Sequence, residues 1–154
     1  MKNLLLAVVN TRPCWALLIA RITLAIVMFP HGAQKLLGWF GGYGWRRTIE
    51  FFTATFYISP ALVWLLIAVE FLGSIALVLG LLSRAVALGF IATMAGAITM
   101  VHAHNGFFMN WSGQQKGEGF EFHILALGLA LVVLLAGGGK ASIDSWITSH
   151  FLKK

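Results

Sequence analysis

"IARITLAIVMFPHGAQKL", residues 19–36, is apolar enough to enter a bilayer, yet it carries Arg21 in its middle and His31 and Lys35 at its far end. A permanent cation in hydrocarbon costs at least about 2.5–3.5 kcal/mol, so such a residue is paired or faces a cavity. The stretch therefore reads as a membrane span with a polar side turned inward. The whole chain agrees. Its 154 residues are 59% hydrophobic and only 10% charged, and mean hydropathy is +0.86, far from the balance of soluble domains. The formal charge of +6 lies at segment ends, as loop charges of a membrane protein do. No basic patch interleaved with aromatics is present, which argues against a nucleic-acid partner.

Four apolar segments follow, each close to the roughly 20 residues that a spanning helix needs. They fall at about 13–37, with a kink expected at Pro30, then 60–82, 85–104 and 118–138. The expected fold is all-α, a single domain over 1–154 and an integral membrane four-helix bundle. Only Ser83 and Arg84 join the second and third spans, which makes them antiparallel neighbours. Ala92, Gly96, Thr99 and Ala103 form a small-residue stripe that would let helices, or two copies of the chain, approach closely. With both termini inside, Lys2, Arg12, Arg84, Lys140, Lys153 and Lys154 lie inside and Lys35, Arg46, Arg47 and Lys116 outside, so the lysine and arginine bias favours N-in/C-in. Two amphipathic stretches are expected as short interfacial helices: "RRTIEFFTATFYI" with Ile49, Phe52 and Phe56 on one face, and "SIDSWITSHFLKK", capped at Ser142, with Ile143, Trp146, Ile147 and Phe151. The N-terminus does not read as a cleavable signal. Cys14 is the one cysteine, which removes an intramolecular disulfide, a CxxC pair or a thiolate cluster.

Counted at 1.5 Å per residue from Pro30 and Pro60, Arg21 and Glu70 both lie roughly 14–15 Å below the same surface. They are expected to pair. Arg21, Ala25, Met28, Gly32 and Lys35 follow steps of four, three, four and three, so one helical face runs from the buried arginine to the outer lysine. The outer ends of three spans also gather His31, His102, His104, Glu121 and His123. Two site chemistries fit. One is a metal held by His102, His104, His123 and Glu121, although "HAH" does not put both rings on one face and no HxxxH pair occurs. The other is a flat ring with two carbonyl oxygens, such as a quinone, which needs hydrogen-bond donors, groups that exchange protons near neutrality, and aromatic walls. Phe29, Trp39, Trp45, Phe107, Phe108 and Trp111 are candidates for those walls or for an interfacial belt. In the quinone reading Arg21, Lys35, Glu70, His102 and His123 bind the ligand, and His31 and Glu121 move protons.

The elements "RITLAIVMFPHGAQKLLGWFGG" (21–42), "VEFLGSIALVLGLLSR" (69–84), "GFF" (106–108), "GFEFHILAL" (119–127) and "GGGKASID" (137–144) resemble the DoxX family of small four-helix membrane proteins. The family often has Gly-Pro-Gly where this chain has Gly137, Gly138 and Gly139. The resemblance implies a multi-pass protein of a bacterial or archaeal inner membrane, with some relatives tied to quinol or thiosulfate oxidation and others to redox-stress complexes. Arg21, His31, Lys35, Glu70 and Glu121 occupy motif positions; His102, His104 and His123 enter through the reading of the residues alone.

Three functions compete. The first is a quinone-interacting subunit of a membrane redox system. The sequence carries no haem, flavin, nicotinamide or iron–sulfur motif, so a redox partner protein or a substrate that reacts directly with quinone is required. The second is a binding or carrier protein for a small hydrophobic or anionic molecule. The third is a scaffold without catalysis.

Overall fold

The computed structural model describes residues 2–152, with side chains described for 6–150. The side chains of Lys2, Lys153 and Lys154, expected on the inner side, and of Phe151, expected on an interfacial helix face, lie outside the described residues.

Among the described residues the chain is helical without strands: α1 (Lys2–Val9), α2 (Trp15–Leu37), α3 (Gly44–Phe56), α4 (Pro60–Leu79), α5 (Ser83–Ala97), α6 (Glu121–Ala136) and α7 (Ile143–Ile147). A π-turn over Ile98–His102 and a 3-10 turn over Ala103–Asn105 prolong α5. Among the described residues, three segments are long and apolar enough to cross a membrane: α2, α4 and Ser83–Asn105. The fourth apolar helix, α6, has 16 residues. That is about 24 Å of helix, shorter than the expected span of 118–138: residues 118–120 stay in the preceding loop, and the glycines from Gly137 onward leave helical geometry.

Helix α2 packs on α4 and α6, and α5 packs on the same two, which closes a ring. Its core holds Leu24, Met28, Leu77, Phe90, Met94, Ala126, Ala130 and Val133. Helix α2 continues unbroken through Pro30 to Leu37, because packed neighbours in a membrane domain tolerate the missing amide. Helices α2 and α4 approach closely at Gly32, where an added Cβ would stand 2.6 Å from Phe71 Cα. The chain termini meet at one end of the ring. There Arg12 N donates to Ala136 O, Lys140 N to Cys14 O, and Thr148 Oγ1 to Val9 O. We call this the terminus end, and the opposite end, with segments 38–59 and 105–120, the loop end.

The expected Arg21–Glu70 pair does not form. Arg21, fully buried, donates through Nη1 to the carbonyls of Leu77 and Val78, and through Nη2 to those of Lys140 (3.3 Å) and Ala141 (3.1 Å). Leu77 O also accepts from Gly80 N at 3.0 Å; the guanidinium adds to that bond and supplies a donor to Val78 O at the open end of α4, a favoured place for a cation. The depth count failed because the helix ends at Leu37, not Pro30. Arg21 then lies 16 residues, about 24 Å, from the loop end, while Glu70 lies about 15 Å from it.

Asp144 completes this junction. Its Oδ1 accepts from Leu82 N and its Oδ2 from Ser83 N, both at 2.8 Å, capping the start of α5. Ser142 caps α7 as expected, accepting from Ser145 N at 3.1 Å. The 137–144 motif is thus a clasp across the α4–α5 turn. Gly80, at φ +65°, is needed there, since a Cβ would stand 2.6 Å from Arg21 Nη1.

Candidate functional site

The loop end contains a cavity of about 780 Å³. Its walls come from α2, α3, α4, α5 and α6 and are mostly apolar, with Phe52 and Phe56 of α3 and Phe122 of α6 on the aromatic side. Five of the residues expected at a site reach it: His31, Lys35, Glu70, His102 and His123.

Lys35 supplies the partner that Glu70 was expected to find in Arg21. The Lys35 side chain runs back along α2, as long helical side chains do. Its Nζ stands 2.6 Å from Glu70 Oε2 and 3.5 Å from the His31 carbonyl. The two side chains differ in exposure: 22% for Lys35 and 6% for Glu70. Ser74 helps hold this part of α4 by donating to Glu70 O.

The histidines enter from three helices. His31 packs beside Phe122 with ring centroids 5.9 Å apart. His102 and His123 lie ring against ring at 4.1 Å, and His102 Nδ1 is 2.8 Å from Glu118 O. The π-turn places His102 in the cavity wall; such wide turns are frequent at functional positions. His123 is buried, and its Nδ1 has no hydrogen-bond partner.

The other expected residues lie elsewhere. Arg21 is at the terminus end. Glu121 is not in the cavity wall: its Oε1 accepts from Met109 N and from the Trp111 indole, both at 3.0 Å. With Glu118 Oε2, which accepts from Asn110 N, it staples the 106–118 loop. His104 is on the exposed 3-10 turn. Among the described residues no three His, Cys, Asp or Glu side chains stand close enough to hold a metal ion, so His102, His104, His123 and Glu121 do not form a ligand set.

The aromatic walls also differ from those expected. Phe29 pairs with Phe71, Trp45 with Trp64, and Trp111 is 86% exposed. The walls are instead Phe51, Phe52, Phe56 and Phe122. The signal lay in "RRTIEFFTATFYI", whose amphipathic face covers the cavity rather than lying only along a membrane surface. The small-residue stripe also serves the cavity: Ala92 and Gly96 line it, and a Cβ on Gly96 would meet nothing within 4 Å.

The DoxX family model matches residues 16–103, a region that includes α2 to α5, the Lys35–Glu70 pair and two of the three cavity histidines. A Bacillus subtilis (strain 168) protein named "Putative oxidoreductase CatD" is similar to the chain, with 27% identity over 130 residues, 84% of this chain and 85% of that protein. No solved structure matches. With its apolar spans and the family match over more than half its length, the chain belongs to the DoxX family of membrane proteins.

Proposed function

We propose that the chain is a quinone-binding component of a bacterial inner-membrane redox system, with four spans, both termini inside and the loop-end cavity toward the outer leaflet. One observation carries the reading. A largely apolar cavity of about 780 Å³ presents a lysine–glutamate pair and three histidines to its interior. That is the usual make-up of a small-molecule site: apolar walls with a few placed polar groups. The similarity to a protein named as an oxidoreductase supports a redox setting.

The residues present fit a ring with two carbonyl oxygens. Lys35 Nζ has three donors; Glu70 Oε2 and the His31 carbonyl engage two, which leaves one for a ligand oxygen. His123, which lines the cavity, is placed to bond a second. Phe52, Phe56 and Phe122 confine a flat ring between α3 and α6. His31, at the wall beside the pair, presents its ring to the same space. A bound quinone would supply two-electron, two-proton redox chemistry; the electrons come from a partner protein or from a substrate that meets the ring directly.

An anion carrier has less support, because the face expected to offer Arg21 and Lys35 together does not: Arg21 is held by four carbonyls and Lys35 by Glu70. The test is mass spectrometry of organic extracts of the purified protein, followed by fluorescence titration with short-chain ubiquinone and menaquinone analogues. Saturable binding that weakens in His123→Phe is expected. No binding by folded wild type would end the quinone reading.

A further inference from the structure

A second cavity of about 320 Å³ sits behind the first, between the end of α2 and the start of α3. Gln34, Tyr43 and Thr48 line it, and it shares Lys35, Phe51 and Phe52 with the larger cavity. The two spaces differ in character. The larger is walled by leucines, methionines and phenylalanines, whereas the smaller has an amide, a phenol and a hydroxyl, with exposed Gly41 and Tyr43 (68%) at its edge. Lys35 stands between them. Its ammonium is bonded to Glu70 on the apolar side, while its backbone carbonyl accepts from Thr48 Oγ1 on the polar side.

We propose that this second cavity is the aqueous proton port of the site, with Glu70 and Lys35 as the relay between it and the bound ligand. This rests on the ligand-binding reading of the larger cavity. As a bound ring gains electrons from the partner protein or substrate, its carbonyl oxygen takes a proton from the Glu70 carboxyl, which Lys35 has just protonated with one of its own ammonium protons. Lys35 takes a proton in turn from water in the port. One proton has crossed, and both side chains are back in their starting state.

Geometry favours this route over the loop-end acids. Glu121 is bonded to the loop and lies off the cavity. Glu118 borders the cavity, but its Oε2 holds Asn110 N. Of the remaining ionisable groups on the cavity, His31, His102 and His123 belong to the large space alone. Lys35 alone is shared between the two. Gln34 and Thr48 are polar enough to hold water in the port, and water needs such partners to occupy a pocket.

Two measurements on the full-length protein test the port, and neither requires a quinone. In a Cys14→Ser background, Tyr43→Cys places a thiol at the mouth, which a bulky, water-soluble maleimide then plugs. A small water-soluble acylating reagent is applied before and after plugging, and lysines are mapped by mass spectrometry. Lys35 should label in the open protein and lose at least about tenfold in labelling when plugged, with Lys116 and Lys140 unchanged. Labelling of Lys35 that ignores the plug, or none in the open folded protein, would overturn the port. Separately, infrared spectra after a pH jump should show a carboxyl band absent from Glu70→Gln, appearing at least tenfold more slowly in the plugged protein. No such band, or one with unaltered kinetics, would overturn the relay. A port that passes both tests in a protein that binds no quinone analogue would leave the port standing and the ligand reading refuted.

Discussion

Lys35 Nζ lies 2.6 Å from Glu70 Oε2 across the α2–α4 seam, and the two side chains are not equally free. Glu70 is confined between packed helices. Lys35 retains partial exposure and borders a second, polar cavity. The seam is close at this point because Gly32 lets the α2 backbone meet Glu70 and Phe71. The pair is therefore anchored on its acidic side and adjustable on its basic side.

That asymmetry predicts unequal costs. Lys35→Met leaves a confined carboxylate without its partner and should cost about 3–5 kcal/mol, the range for breaking a buried pair. Glu70→Gln should cost less than about 2 kcal/mol, because the ammonium can turn toward the polar cavity. The double change Lys35→Met with Glu70→Leu should recover most of the loss. Denaturant unfolding in one fixed detergent measures all three. Equal costs for the two single variants would contradict the asymmetry.

Arg21→Lys should destabilise by about 2–4 kcal/mol. Lysine is a point charge and cannot span two helix-end carbonyls and two loop carbonyls as the planar guanidinium does, and each buried acceptor left unpaired costs roughly 1–3 kcal/mol. The folded fraction should bind a quinone analogue as wild type does, since Arg21 is not in the cavity wall. Normal stability with lost binding would return Arg21 to the site.

Asp144→Asn should cost about 1–2 kcal/mol, because one of its two acceptors for the α5 amides becomes a donor, and charge-assisted bonds to a helix start are the stronger kind. Hydrogen exchange should rise at Leu82 and Ser83 before it rises in the rest of α5. Unchanged protection at those two amides would show that the clasp does not hold the turn.

His123→Phe should leave stability unchanged or raise it, because a buried polar atom without a partner is replaced by an apolar ring. Binding of a quinone analogue should weaken at least about tenfold. Thermal unfolding and the fluorescence titration on the same preparation check the two halves together. A loss of stability with unchanged binding would mark His123 as structural.

Gly32→Ala should weaken the same site from a distance. The new methyl would stand 2.6 Å from Phe71 Cα, so α2 must move off α4 and carry Lys35 away from Glu70. Crosslinking between cysteines placed on α2 and α4 should become less efficient, with analogue binding reduced in parallel. Crosslinking at the wild-type level would refute the forced separation.

The sequence by itself determined the apolar helices and the membrane setting, since both follow from local composition and from a length that hydrocarbon thickness imposes. It also identified Arg21 and Glu70 as the charges needing partners, Lys35 as the outer end of the Arg21 face, and the helix start at Ser142. Which charge met which was a tertiary matter. A helix that runs through Pro30 moves Arg21 to the far end of the ring, where carbonyls at the end of α4 accept its guanidinium. Lys35 takes its place beside Glu70 only because a long side chain reaches back past a close glycine contact. The π-turn that brings His102 into the cavity, the bonds that tie Glu121 into a loop and the folding of α3 over the aromatic side all rest on contacts between segments distant in the chain. Residue spacing reports only local periodicity, so the spans could be read along the chain, while the partners of each charge depended on how those spans pack.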